Sequence, residues 1–231
     1  YVTKGQEDQS WFDKAVADYD PAFIIHGGDM VEGTGTQKEQ YAFWFNSGEF
    51  IHNYPVVYAC GNHDFSDYFN MYVINTQTEE YGSEVEGNIA FDYGDIHFDL
   101  MDSNPWALFQ MNAETSGGQM DAATANKIEK SVQWLKDDLA ANQDKKFRIL
   151  VMHHPISDPY TKMHIASVAE AGHVDMMLAG HTHSYARAVS DDPTVGAGTI
   201  YLTHQDSRAV SAKGSYMTHT MKGDVLTTSN M

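Results

Sequence analysis

The chain has 231 residues, 42% hydrophobic and 12% aromatic, enough to fill one large core and too few for two catalytic domains. Its 14 Lys and Arg stand against 32 Asp and Glu, a formal charge of −18 that repels a phosphodiester backbone at long range and argues against general nucleic-acid binding. The single cysteine, Cys60, excludes an intrachain disulfide framework and a CxxC metal clip, and no apolar run approaches the roughly 18 residues of a membrane span.

In chain order, Trp11, Phe12, Ala15, Val16 and Tyr19 share one helical face before the helix stop Asp20-Pro21. Ala22 to Ile25 reads as a buried strand ended by Gly27-Gly28. Residues 37–50 have a helical, aromatic-rich pattern, and Pro55 to Ala59 make a second buried strand ended by Gly61. Alternation then changes to period two: Ile89, Phe91 and Tyr93 precede a Gly94-Asp95 turn, and Ile96, Phe98 and Leu100 follow it, predicting a hairpin. Residues 104–119, rich in Gly, Ser, Thr and Asn, are expected to form a pocket-shaping loop. Ile128, Val132, Leu135 and Leu139 mark an amphipathic helix. Arg148 to Met152 is strand-like, residues 161–171 helical, and Val174 to Ala179 strand-like again before Gly180. From Ser190 the pattern is of short strands and turns, with Ile200 to Thr203 the clearest. The alternation predicts α/β architecture, and neither an internal repeat nor a linker divides residues 1–231.

Polar clusters follow four of the predicted strands: Gly28-Asp29, Gly61-Asn62-His63-Asp64, His153-His154-Pro155 and Gly180-His181-Thr182-His183. Strand ends at the carboxyl edge of an α/β sheet converge on one crevice, so these groups can meet. Six of the twelve histidines fall within 31 residues, from 153 to 183, which sharpens the pattern. A carboxylate can bridge two divalent cations while imidazoles and an amide oxygen complete their shells without adding negative charge. Two cations about 3.5 to 4 Å apart can share a hydroxide and bind phosphoryl oxygens, chemistry that suits phosphoester hydrolysis. Each cluster alone has a plainer reading: Asp29 as a turn residue, Asn62 and Asp64 as loop residues, one of His153 and His154 as a core histidine. The GHTH element is the strongest, because two histidines on a glycine-led loop after a buried strand have few packing uses.

The ordered set GD, GNHD, VMHH and GHTH resembles the calcineurin-like metallophosphoesterase superfamily, and GHTHSYAR is similar to its purple acid phosphatase-related branch. The resemblance covers Ala22 to Arg187. It implies a four-layer αββα sandwich, two mixed sheets flanked by helices, that hydrolyses a phosphomonoester or phosphodiester with two divalent metal ions, zinc, manganese or iron. Carried over by position, it makes Asp29 the bridging carboxylate. Asn62, His154 and His181 complete one metal site, and His183 serves the other. His63, oriented by Asp64, contacts phosphate or protonates the leaving oxygen, and His164 is a second substrate-facing histidine or an exposed helix residue. His153 is expected to be structural or to support the ligands from behind.

Two departures from the family pattern stand out. The superfamily begins with an Asp-led motif on a strand upstream of the GD element; here Tyr1 to Asp20 reads as the loop and helix that would follow it. The chain is therefore expected to be a fragment lacking that strand and one metal ligand, and a noncatalytic phosphate- or metal-binding module is the alternative function. Glu32 stands where the purple enzymes carry a tyrosine, so a ferric, coloured site is not expected. A nuclease of the superfamily would need a local basic rim, near Arg187 and Arg208. The expected partner is a small phosphoester substrate, and the resemblance leans towards an exported protein.

Overall fold

The computed structural model describes residues 10–32, 36–64, 69, 78–190, 198–204 and 216–231. Its elements in order are α1 (Ser10–Tyr19), β1 (Ile24–His26), α2 (Gln37–Phe45), α3 (Phe50–Asn53), β2 (Val56–Tyr58), α4 (Thr78–Tyr81), β3 (Ile89–Tyr93) and β4 (Ile96–Met101). There follow a π-helical segment (Pro105–Gln110) that runs into α5 (Met111–Thr115), then α6 (Ala122–Ala141), β5 (Phe147–Met152), α7 (Pro159–Ala171), β6 (Met176–Ala179), β7 (Ala186–Val189), β8 (Ile200–Thr203), β9 (Met217–Lys222) and β10 (Val225–Asn230). Arg208 and the loop residues 33–35 lie outside the described residues.

Six strands form a mixed sheet in the order β3-β4-β5-β6-β8-β7. Its centre, β4 to β8, is parallel, and β3 and β7 add antiparallel edges. Period-two alternation sorts the central strands onto two buried faces, as parallel strands covered on both sides require. Leu150, Met152 and Met177 turn to α6 and α7, where Trp134, Leu135, Leu139 and Ile165 complete one core. Ile149, Val151, Met176 and Leu178 turn the other way, against Ile25 and Val57 of the first strand pair and Met217, Met221 and Leu226 of the last. A third core lies beyond β1 and β2, where Ile24, Val56 and Tyr58 meet Val16, Tyr41 and Trp44 of α1 and α2. The layers are thus helix, sheet, sheet, helix. Among the described residues the second β layer consists of two separate ladders, parallel β1-β2 and antiparallel β9-β10.

The two β layers do not meet along their whole length. Between them runs a cleft of about 530 Å³ whose walls include Phe23, Ile25, Phe98, Leu178 and Leu226, and one end of it reaches Asp29, His153, His181 and His183.

Two expectations are corrected. The helix over 37–50 is broken by Asn46-Ser47-Gly48 into α2 and α3: the Ser47 hydroxyl donates to the Trp44 carbonyl at 2.7 Å, and a Cβ on Gly48 would lie 2.8 Å from the Phe50 ring. Most of 104–119 is helix rather than loop, because Pro105, Trp106 and Ala107 are buried and the Trp106 Nε1–H donates to Thr161 Oγ1 of α7 at 3.2 Å.

Candidate metal centre

Four short strand-to-loop transitions, after β1, β2, β5 and β6, build the centre. β1 ends at His26 and the chain turns through Gly27 and Gly28 to Asp29. Gly28 has φ +96°, and a side chain there would put a Cβ 2.5 Å from His153 Nδ1. β2 delivers Gly61, whose absent Cβ would lie 2.2 Å from both the backbone nitrogen and Oδ1 of Asp29. That space is what lets the Asn62-His63-Asp64 loop lie directly on the Asp29 loop. Asp64 locks the two together: its fully buried carboxylate accepts N–H bonds from Asp29 (2.6 Å), Met30 (2.7 Å), Val31 (3.2 Å) and Gly61 (3.0 Å). The His63 backbone N–H donates to Asp29 Oδ1 at 3.0 Å.

β5 and β6 supply the imidazoles. The Gly27 carbonyl, 2.8 Å from His153 Nδ1, can only accept, so Nδ1 carries the hydrogen and Nε2 is turned inward. That Nε2 lies 3.1 Å from Asn62 Oδ1, 3.3 Å from His181 Nδ1 and 3.2 Å from Asp29 Oδ2. His181 Nδ1 is also 3.0 Å from Asn62 Oδ1. One amide oxygen and two ring nitrogens therefore form a triangle with edges of 3.0 to 3.3 Å, and Asp29 adjoins it through His153. Asp29 (φ 60°), His181 (φ 68°) and His183 (φ 56°) all have left-handed backbone, which non-glycine residues seldom adopt.

His153 and His154 divide the work differently from the expectation. His153 is the imidazole in contact with Asp29 and Asn62. His154 Nδ1 instead meets the Ser103 hydroxyl at 2.7 Å, its backbone N–H donates to the same oxygen at 3.2 Å, and its ring lies 4.4 Å from that of His181. The strand's own alternation explains this: residue 153 continues the face of Ile149 and Val151, towards β1, while 154 continues the face of Leu150 and Met152, towards the helices. Ser103 and Asn104 were missed by sequence reasoning, although they follow the carboxyl end of β4 and obey the same strand-end rule. The Asn104 amide donates to the Gly61 carbonyl at 3.1 Å and so ties β4 to the Asn62 loop.

His63 and His164 are also placed. His63 Nδ1 faces the Glu32 carbonyl, which fixes the hydrogen on that nitrogen. His164 is not brought into the triangle: on α7 its Nε2 meets Gln110 Oε1 at 2.7 Å and its ring lies 6.2 Å from that of Trp106. His183 lines the same end of the cleft as His181.

The electrostatics suit a cation. Burial alone would raise the Asp29 carboxyl, but His153 and the His63 N–H outweigh it and hold Asp29 below the usual carboxylate range. Burial would lower His153, yet Asp29 holds it up. Burial, with His153 and His181 alongside, pushes His154 down to about 2. Burial and His153 likewise lower His181. The site is thus a carboxylate, an amide oxygen and imidazoles of which His154 and His181 favour their neutral form, while Asp29 favours a proton on His153 that a bound cation would displace. The donor set fits a divalent cation of the zinc or manganese kind.

The chain matches the family model of calcineurin-like phosphoesterases over residues 7–185, and it belongs to that family. Among solved structures it is similar to the purple acid phosphatase PPD1 from seeds of yellow lupin (Lupinus luteus), with TM-score 0.56 and 15% identity over 83% of this chain and 38% of the lupin chain. It is also similar to GAP50, the anchor in the inner membrane complex of Plasmodium, with TM-score 0.54 and 18% identity over 89% of this chain and 68% of that one. No curated protein matches it in sequence. No described helix is long and apolar enough to cross a membrane.

Proposed function

We propose that the chain is a metal-dependent hydrolase of a small phosphomonoester or phosphodiester, working with a dinuclear centre. The observation that carries this reading is the triangle of Asn62 Oδ1, His153 Nε2 and His181 Nδ1 set against Asp29, a convergence of electron-pair donors that have few hydrogens to share among themselves. In this reading Asn62, His153 and His181 would hold one cation, and Asp29 with His183 would help to hold a second. His154 braces the His181 ring instead of binding, a revision of the ligand set that the motif resemblance implies. Bound cations would supply a low-pKa water and charge for the phosphoryl oxygens. His63, held through Nδ1 by the Glu32 carbonyl, passes a proton to the leaving oxygen from Nε2. Asp64 fixes the backbone of both loops, and His164 reaches substrate only from the rim near Gln110.

Hydrolysis of p-nitrophenyl phosphate and bis(p-nitrophenyl) phosphate, with manganese or zinc added, tests the reading on the chain as given and on one extended upstream. Metal-stimulated turnover is expected, and His153→Ala is expected to abolish it while His154→Ala lowers it about 10- to 100-fold, the usual cost of losing a group behind the ligands. The similarity to the Plasmodium anchor supports a second reading, a noncatalytic module that keeps the fold. Metal binding without turnover in both forms of the chain would establish that one instead.

A further inference from the structure

A second cluster of metal-ligating side chains sits at the opposite end of the main sheet. β4 begins there, and His97 and Asp99 point from it to the helix side, on the same face as Met101. Asp138 comes from the last turn of α6. One ligand atom from each of the three lies within 4.8 Å of the others. His97 Nε2 is 2.5 Å from Asp138 Oδ2 and 3.6 Å from Asp99 Oδ1, while its Nδ1 meets Asp92 Oδ1 at 2.8 Å. Asp92 in turn is paired with Lys145.

Asp99 is the anomaly. It is completely buried, and neither of its carboxylate oxygens accepts a hydrogen bond. A carboxylate withdrawn from water without partners is costly. The nearest positive group, His97, is already closer to Asp138. The α6 end adds to the imbalance, because its last turn carries no basic residue and a carboxylate there opposes the helix dipole. Without an ion the carboxylates keep His97 protonated, and Asp92, Asp99 and Asp138 still outnumber His97 and Lys145; with His97 neutral, as a metal ligand must be, the three carboxylates face the Lys145 ammonium and a divalent cation would bring the group to neutrality.

The geometry points to a zinc site formed by His97 Nε2, Asp99 and Asp138, with the fourth position open to water. One imidazole with two carboxylates is a mixed N/O set that suits zinc better than calcium or magnesium, which prefer oxygen alone. Asp92 takes the supporting role of the carboxylate that accepts the other ring N–H of a zinc-bound histidine. The Asp138 side chain is 11% exposed, which gives the ion a way in from the α6 side. Some six residues of extended chain, roughly 15 to 20 Å, separate His97 from Ser103 beside the candidate metal centre, so the two sites are distinct. Its ion would fasten the β3-β4 hairpin to α6. This inference stands independently of the proposed phosphoesterase reaction.

Calorimetric titration of metal-stripped protein with zinc tests it, using a chain in which Asn62→Ala and His181→Ala disable the candidate centre. One zinc ion per chain is expected to remain, accompanied by a rise in Tm, and adding Asp99→Asn should weaken it about 100-fold or more. No zinc taken up by the centre-disabled chain, or uptake unchanged by Asp99→Asn, would overturn the site and leave Asp99 as a carboxyl kept neutral by a proton. Anomalous scattering at the zinc edge from crystals of the unaltered chain gives a reading that does not depend on any variant folding. A peak between the three side chains supports the site, and none at saturating zinc refutes it.

Discussion

Asp64 serves the centre through the backbone. Four N–H groups from two loops converge on its buried carboxylate, so it acts as the clasp that keeps Asp29 facing the Asn62 loop. Asp64→Ala would leave those donors without partners and is expected to lower unfolding free energy by about 3 kcal/mol in urea titrations; Asp64→Asn, which keeps one acceptor oxygen, should lose less. His26 gives a second test at this scale. It lies against Trp44, ring centres 4.7 Å apart, with its Nδ1 unpartnered, and burial pushes its pKa down to about 3. The fold keeps this ring neutral while the unfolded chain protonates it near pH 6.5, so its stabilising contribution is intact above that pH and declines as pH falls towards 3. Between pH 6.5 and 5 the loss is expected to reach up to about 2 kcal/mol, and His26→Gln should flatten that part of the stability curve.

Among the elements, those whose side chains alternate or repeat cleanly were legible in the sequence. The β3-β4 hairpin falls where Ile89 to Tyr93 and Ile96 to Leu100 place it, and α6 includes the whole Ile128 to Leu139 stripe. The π-helical segment was hidden, because Pro105 and the polar residues around it carry loop chemistry and its order comes from tertiary contact at Trp106. Trp106→Ala is accordingly expected to cost about 3 to 5 kcal/mol in chemical denaturation, a core-sized loss that no surface loop would show. The candidate site was legible as far as its strand ends went. Motif order pointed to loops that the structure brings together, but telling which of the adjacent His153 and His154 faces Asp29 requires the phase of β5, which Ile149 and Val151 already set. The spacing of His164 from His154 says nothing of where its side chain goes, and on α7 it meets Gln110. Asp99 carried no signal at all, since a lone acid in an alternating strand looks like an ordinary solvent-facing residue.

For the whole molecule, the charge of −18 and the two acidic-imidazole clusters are related. A chain this negative repels itself when compact, and places that concentrate carboxylates indoors are the ones where cations relieve the most repulsion. The left-handed backbone at Asp29, His181 and His183 has a bearing on the molecule's overall durability. An L-residue in that conformation is disfavoured by roughly 1 to 2 kcal/mol, a penalty that glycine escapes. In the absence of metal, His183→Gly is therefore expected to raise the melting temperature by a few degrees, read by calorimetry, while removing a donor from the cleft. Heat tolerance and chemical competence would then pull against each other at one and the same residue, and selection for a hardier protein would tend to erode this loop first.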